Sequence, residues 1–570
     1  MYIKKVHIEN FRNFRKIDIP LKQYSTIVGE NDVGKSNFLD AIKLLLYNNS
    51  IQFYSKRLSL TDLNSDCVEK FRKKVIECKE KIKAKIDNKE DLSEYYNDIP
   101  KVIVSITFVD ASDDYQKKLL CDWTNLEEGE LSYTIEYCFK PKDNYDFLVT
   151  MFALIELDQN SSIPIELYEY SIYSKNNEKP INSAKYKNFN VSIINAERDN
   201  FSENSNKESY KLISSLLEKK LSVNDKGIIN KAYNDFFEEI KKLSSYKDIF
   251  SYLKKQGISN IDEIVDNIEL LPNFPNLNTI FTNINIGYGN EFLYQKGLGK
   301  RNLILLLLLF SNYNNFDRKY NLICVEEPEA HLCVNNLNIA LRFIEKSLSV
   351  ENPFCQTIIT SHNPKTINKL KFENVVILKN DKTITFDNNI DMSKYLSKRQ
   401  NFDILKILFA NRLILVEGPT EEMFINTIIS LQDNLNDIEV ISIGHKGFKT
   451  FLDIWLKINK DSDKKIGIVR DYDDQPNAKK EHDAYNDDKQ IFVRTTEGYT
   501  FEDDLISTSN NKKILSRLFD TEDPCNYMKS SKAESMLLLC ERMLLSTDDN
   551  KKIEISIPKH IEEILNGLQN

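Results

Sequence analysis

The chain has 570 residues, 41% hydrophobic and 29% charged, with a formal net charge of −9. That length exceeds one compact core and predicts two or three domains, while the charge excludes nucleic-acid binding by overall attraction, leaving local basic surface or bridging metal ions. The 15 Gly and 14 Pro exclude long low-complexity tracts, and the longest apolar run, Leu303–Phe310, is too short to span a bilayer.

Residues 1–50 read as strand, turn, strand, glycine-containing loop and helix: YIKKVHIENF, YSTIVGENDVGKS and NFLDAIKLLL. Met1 leads directly into a charged strand-like segment, so no secretory leader is expected. GENDVGKS at Gly29–Ser36 matches GxxxxGK[ST] between a strand and a helix. Gly29 and Gly34 let backbone N–H groups wrap phosphates, Lys35 neutralises the β/γ oxygens, Ser36 ligates Mg²⁺, and the helix N-terminus favours the anion. Asn31 in the loop and Asn37 just after it are further candidate nucleotide contacts. A chance glycine turn is the alternative, and both flanking elements count against it.

Residues 65–98, rich in Lys, Glu and Asp with apolar residues at helical spacing, predict an exposed helical insertion. KVIVSITFV and LSYTIEYCF alternate like antiparallel strands. Residues 202–275 turn polar and helical, and the apolar stripes of ESYKLISSLLEKKL and KAYNDFFEEIKKL predict a dimerisation arm. QKGLGKRN sets Gly297 and Gly299 before an apolar helix, a second candidate phosphate cradle.

LICVEEPEAHL ends an apolar strand in Glu326, suited to a Mg²⁺ shell, and Glu327, suited to orienting or deprotonating an attacking water. An acidic helix start is the alternative, because Glu is favoured there in any case. IITSHNP sets His362 beyond another strand, as a γ-phosphate sensor or a simple turn residue. The alternation of strands and helices predicts a mainly parallel sheet.

From about 405 a second α/β series begins, with RLILVEG, DIEVISIG, KIGIVRD and QIFVRTT as strands. Residues 1–395 are expected to form the first domain, 202–275 its helical insertion, and 405–570 the second domain. One apolar strand ends in Glu417, with Glu421 beyond a Gly-Pro turn, and another ends in RDYDD with Asp471 and Asp473. Carboxylates gathered at the carboxyl edge of a parallel sheet repel unless a cation sits among them, and hard oxygen ligands select Mg²⁺ or Mn²⁺. Solvated acidic strand ends are the alternative, and the conjunction of VEGxxE with DxD weighs against it. GYTFEDDL then offers Glu502 and Asp504, and YMKSSKAESM offers Lys532, with Lys529 as its rival. The nine Cys show no CxxC pair and no neighbouring His ligands, which fits reduced thiols in a cytoplasmic protein.

The first set, IENFRNF with Arg12, GENDVGKS and EEPEAHL, resembles the ABC-type ATPases of the SMC, RecF and OLD group. That resemblance implies two ATP molecules sandwiched in a dimer, with Gly297, Gly299 and Arg301 completing the site of the other subunit and Arg12 among the nucleotide contacts. Leu298 stands where many relatives have Ser, and Glu326 where Asp is commoner, which favours binding over rapid hydrolysis.

VEGPTEE with RDYDD resembles a TOPRIM domain, and an ATPase followed by TOPRIM resembles the OLD (overcoming lysogenisation defect) family nucleases. The chain looks most like the nuclease subunit of Gabija anti-phage systems, with retron-associated OLD effectors close behind. The resemblance implies that Glu417, Glu421, Asp471 and Asp473 hold one metal, that Glu502 and Asp504 contribute to a second, and that Lys532 supports the transition state. It also implies nucleotide-controlled, metal-dependent cleavage or nicking of double-stranded phage DNA, a homodimer or higher homo-oligomer, and a helicase partner. Activation and inhibition by ATP both stay open. A RecF-like ATP-dependent DNA clamp with a non-catalytic TOPRIM scaffold is the competing reading. Topoisomerase and primase readings lack a separate DNA-gate domain and a zinc module respectively.

Overall fold

The computed structural model describes residues 1–46, 56–111, 113–127, 130–176, 179–181, 189–196, 221–245, 286–311, 320–349, 354–370, 372–379, 381–386, 403–444, 447–460, 462–545 and 552–569. They divide into two units, Met1–Ser361 with Asn374–Thr383, and His362–Glu373 with Ile384–Asn570. Among the described residues no helix is long and apolar enough to cross a membrane.

The first unit contains two sheets. β1 (Tyr2–Phe11), β2 (Phe14–Pro20), β4 (Val102–Val109), β5 (Thr124–Glu127), β6 (Glu130–Pro141) and β7 (Tyr168–Ser174) form an antiparallel sheet in the order β2-β1-β4-β6-β5, with β7 also on β6. In β1, Val6 and Ile8 are buried between the less buried His7 and Glu9, the period of two that a one-sided sheet needs. The second sheet runs β12-β11-β3-β10-β9-β8, built from β3 (Tyr24–Gly29), β8 (Phe189–Ile194), β9 (Tyr320–Glu326), β10 (Cys355–Ser361), β11 (Val375–Lys379) and β12 (Lys382–Thr385). The pairs from β8 through β11 are parallel. β9 and β10 are buried almost throughout, as strands covered on both faces must be.

Helix α1 (Lys35–Leu46) packs against strands of both sheets, and its Phe38, Leu39, Ile42 and Leu45 join one core with Val6, Ile106, Tyr137 and Leu322. The loop between β3 and α1 is therefore held between two buried elements. The insertion predicted at 65–98 contains helices Ser65–Glu77 and Lys79–Asp87, which dock through Phe71, Val75 and Ile82. The helix pair expected at 202–275 falls mostly outside the described residues. Its described part is α2 (Val223–Lys242), which has no buried residue and leaves Val223, Ile228 and Phe236 exposed. Beyond it come α3 (Leu298–Ser311) and α4 (Val334–Leu348), which pack on each other.

The second unit is built on four parallel strands, β13 (Arg412–Val416), β14 (Ile438–Ser442), β15 (Lys465–Arg470) and β16 (Ile491–Thr495). Their order, β14-β13-β15-β16, places successive strands on opposite sides of β13. The direction of winding reverses between β13 and β15, and a crevice opens at the carboxyl ends of strands at such a switch point. Helices α5 (Pro419–Ser430), α6 (Phe448–Asn459), α7 (Pro476–Asp483), α8 (Phe501–Ser507), α9 (Lys532–Met543) and α10 (Lys559–Gln569) surround the sheet. Phe424 and Ile425 of α5, Leu539 of α9, and Ile561 and Ile564 of α10 share one core with Ile414 and Val416 of β13.

Candidate functional site

The phosphate-loop motif curls around its own lysine. Lys35 Nζ donates to the Gly29 and Glu30 carbonyls, each at 2.9 Å. Burial pushes its pKa down, against the attraction of Glu327, Asp32, Glu326 and Glu329. Gly34 has φ +104°, and a Cβ there would meet Asn13 Nδ2 at 2.6 Å, so both conformation and space require glycine. Asn13 in turn accepts from Asn37 Nδ2 at 2.7 Å. Asn31 is exposed in the loop.

The Ser36 hydroxyl donates to Glu326 Oε1, while Glu326 Oε2 accepts from the Ala196 N–H at 3.2 Å. The two residues expected to share a Mg²⁺ shell are thus in contact, Ser36 from the first turn of α1 and Glu326 from the end of β9. Glu327 follows with φ +44°, a left-handed conformation that non-glycine residues adopt under constraint, and its N–H donates to the Thr360 carbonyl at 2.9 Å.

Arg12, expected at the nucleotide, bonds to Asn37 just after the phosphate loop and to two acids. Its Nη1 donates to Asp40 at 2.6 Å and to Asn37 at 2.9 Å, and its Nε donates to Asp62 at 3.0 Å. It ties the β1–β2 turn to α1. Gly297 precedes α3 and Gly299 lies in its first turn; Asn302 Nδ2 donates to the Ala330 carbonyl at 3.0 Å, while Arg301 Nε donates to the Lys296 carbonyl at 2.7 Å. Leu298 is exposed. His362 is exposed directly after β10 and groups with the second unit.

In the second unit, β13 and β15 deliver Glu417 and Asp471 to the two sides of the switch point, both buried. The Asp471 N–H donates to Glu417 Oε1 at 3.0 Å. Pro419 opens α5 and Glu421 sits in its first turn, where helix electrostatics favour a carboxylate. Glu421 is nevertheless buried, and its Oε2 accepts from Thr420 Oγ1 at 3.0 Å. Burial, then the charges of Glu421, Glu417, Glu502 and Asp473, push the Asp471 carboxyl up to about 8. Burial likewise raises Glu417, partly offset by the N–H of Asp471. Asp473 and Asp474 stand at φ +48° and +53°, a tight reversal that holds the second acid of the DxD pair at the crevice.

The three acids of FEDDL divide their work. Asp503 closes the Thr500 capping box and accepts from Lys529 Nζ at 2.6 Å. Asp504 Oδ1 accepts from the Gly498 N–H at 2.6 Å, and Oδ2 from the Glu497 N–H at 2.9 Å, with His560 Nδ1 also 2.9 Å away. Glu502 faces Lys532 Nζ at 3.1 Å, is only 2% exposed, and has Oε2 buried with no hydrogen-bond partner. Lys532, rather than Lys529, is therefore the lysine beside the buried carboxylates.

Among the described residues no group of three or more His, Cys, Asp or Glu side chains is drawn together tightly enough to hold an ion as it stands. The donor set nonetheless fits a hard divalent cation: it is all carboxylate, one buried oxygen of Glu502 lacks a partner, and Asp471 is raised by its acidic neighbours. A cleft of about 450 Å³ opens beside the site, lined by Tyr472, Lys479, Lys480 and Thr496 among others.

Sequence reasoning missed Thr496 and His560. Thr496 Oγ1 accepts from the Tyr472 N–H at 2.9 Å and donates to the Gly498 carbonyl at 2.9 Å. His560 had one legible signal: it occupies the buried stripe of α10 at helical spacing with Ile564 and Leu568.

Residues 1–367 match the family described as AAA ATPase domain, and residues 408–473 match the one described as overcoming lysogenization defect protein-like, TOPRIM domain. Two relatives are each called Endonuclease GajA. That of Bacillus cereus strain HuB5-5 is 24% identical over 510 residues, covering 76% of this chain and 72% of its own. That of Bacillus cereus strain VD045 is 22% identical over a 629-residue alignment covering 96% of each. A solved SMC head bound to the C-winged helix domain of ScpA is 14% identical over 69% of this chain and 100% of that one, at a TM-score of 0.36, too distant to carry an argument. With the first match extending over more than half of the sequence, this chain belongs to the AAA ATPase domain family, and an OLD-like TOPRIM domain follows its ATPase region.

Proposed function

We propose that this chain is a divalent-metal-dependent DNA endonuclease of prokaryotic anti-phage defence, controlled by the nucleotide state of its ATPase domain. One observation carries the reading: Glu417, Glu421, Asp471 and Glu502 are all buried, Glu417 is bonded to the Asp471 backbone at the switch point, and one Glu502 oxygen has no hydrogen-bond partner, a concentration of carboxylate that a bound cation relieves. The two relatives called Endonuclease GajA support it.

Glu417, Glu421, Asp471, Asp473 and Glu502 would hold Mg²⁺ or Mn²⁺ in this site. When bound, such a cation polarises the scissile phosphodiester and activates water. Glu417 fixes the backbone of Asp471, so one acid positions the next. Lys532, against Glu502, holds a fixed positive charge suited to an extra negative charge developing on phosphate. Lys479 and Lys480 border the adjacent cleft and suit the backbone of double-stranded DNA.

In the ATPase domain, Lys35, Ser36 and Glu326 are the residues for ATP and its Mg²⁺, with Glu327 for the attacking water. Closure of a homodimer or larger homo-oligomer on ATP, a helicase partner and a cytoplasmic setting belong to the same reading. The test is plasmid nicking by the purified chain with Mg²⁺ or Mn²⁺, across an ATP titration and with mass in solution recorded. Undiminished cutting by Glu417→Ala would overturn the site. ATP-dependent DNA retention without strand scission would establish a clamp instead.

A further inference from the structure

Both carboxylate oxygens of Asp504 accept backbone N–H groups of one turn. Oδ1 takes the Gly498 N–H at 2.6 Å; Oδ2 takes the Glu497 N–H at 2.9 Å and lies 2.9 Å from His560 Nδ1. Asp504 and His560 are each buried, on α8 and at the start of α10. The turn they hold is the one that grips the DxD loop. The Asp473 N–H donates to the Tyr499 carbonyl at 3.1 Å, the Tyr472 N–H donates to Thr496 Oγ1 at 2.9 Å, and the Thr496 N–H donates to the Arg470 carbonyl at 3.0 Å. His560 Nδ1 makes an ion-pair contact with Asp504, and from Asp504 hydrogen bonds lead into the 497–499 turn and from that turn to Asp473.

We propose that His560 and Asp504 form a positioning pair for the metal centre, setting Asp473 through the Glu497–Tyr499 turn. Neither is a catalytic residue. The inference rests on the metal-centre reading above and deepens it, reassigning Asp504 from candidate ligand to support. Local geometry explains why a support is needed. Asp473 and Asp474 both hold left-handed backbone conformations, which persist in non-glycine residues only where surrounding structure over-determines them. Groups that orient ligands in this way typically change metal affinity by about ten- to a hundredfold when removed. α10 is anchored through Ile561, Ile564 and Leu568, which lie in the core of the unit.

The experiment uses the full chain and two readouts, Mn²⁺ affinity by electron paramagnetic resonance and plasmid nicking. His560→Leu keeps the apolar packing and removes the polar contact with Asp504; His560→Asn restores an N–H group at the Nδ1 position. The expected result is Mn²⁺ binding and nicking weakened at least about tenfold in His560→Leu and largely rescued in His560→Asn. Asp504→Asn, which turns one acceptor into a donor facing an N–H, matches the Leu variant. Wild-type Mn²⁺ affinity in His560→Leu, or better function in it than in His560→Asn, overturns the inference and makes His560 a packing residue. If His560→Leu does not fold, Asp504→Asn with wild-type affinity overturns it equally. Wild-type protein that neither binds Mn²⁺ nor cuts overturns the metal-centre reading itself; a wild type that does both beside an unaffected His560→Leu overturns this inference alone.

Discussion

Glu417 and Asp471, 54 positions apart on neighbouring parallel strands, are joined by a 3.0 Å hydrogen bond from the backbone N–H of one to the carboxylate of the other. The bond couples the conformation of the DxD loop to the charge of Glu417. It also separates two jobs within one side chain, holding a backbone and contributing negative charge, which substitutions can take apart.

Glu417→Gln retains an oxygen for the Asp471 N–H and removes a charge, whereas Glu417→Ala removes both. Both variants are expected to lose nicking activity by at least about 10²-fold. Only the Ala variant leaves a buried N–H unpaired, which costs about 1–3 kcal/mol. Urea unfolding in EDTA separates them: the Gln variant matches or exceeds the wild type, and the Ala variant falls below it.

Metal-free stability should fall with rising pH. The folded protein keeps a proton on Asp471 up to about 8, while the unfolded chain releases it near the ordinary 3.8. Between those values the unfolded state binds fewer protons, so alkalinity favours unfolding, and the loss levels off above the folded value. A divalent cation replaces that proton. Melting curves should therefore show a larger stabilisation by Mg²⁺ at about pH 9 than at about pH 6. Equal shifts at both would show that Asp471 does not meet the ion.

The two neighbouring lysines should differ. Lys532→Ala removes the cation beside Glu502 and is expected to slow cleavage by about 10²-fold, with DNA binding changed much less. Lys529 pairs with Asp503 at the start of α8, so Lys529→Ala should act mainly on stability, within about 1 kcal/mol. Single-turnover cleavage rates beside binding isotherms check both.

At the nucleotide site, Lys35→Ala should weaken ATP binding by about ten- to a hundredfold through loss of a charge-assisted contact. Glu327→Gln should keep binding while hydrolysis drops by about 10²-fold or more. Binding of a fluorescent ATP analogue and phosphate release are the two measurements. Parallel loss of both properties in Glu327→Gln would remove it as the residue that handles water.

Gly498 should not tolerate a side chain. A Cβ there would meet Asp503 Cβ at 2.8 Å and Asp504 Oδ1 at 3.0 Å. Gly498→Ala is expected to cost about 1–3 kcal/mol in urea unfolding and to impair nicking together with stability.

Much of this architecture was legible before any coordinates. Unbroken apolar runs such as LILV and ICV announce strands buried on both faces, and residues that end them stand at the carboxyl edge of a parallel sheet. That logic leads from the sequence to Lys35, Glu326, Glu417 and Asp471. It fails where partners are set by packing between distant segments. Arg12 carried a motif signal, but its partners Asp40 and Asp62 carry none of their own. In FEDDL the sequence singled out Glu502 and Asp504 without showing how either is held. Only the helix start, the 497–499 turn and α9 decide that Asp503 caps α8, that Asp504 accepts the N–H groups of the turn and that Glu502 meets Lys532.

By itself, the sequence determined the element types, the phosphate loop and which acids end strands, because these follow from local periodicity and chain chemistry. The tertiary structure decided strand order, hence which strand ends become neighbours, and it decided which carboxylates lose water. Solvent exclusion and proximity of like charge belong to the fold rather than to any residue, and those two effects raise the Asp471 carboxyl above its ordinary value.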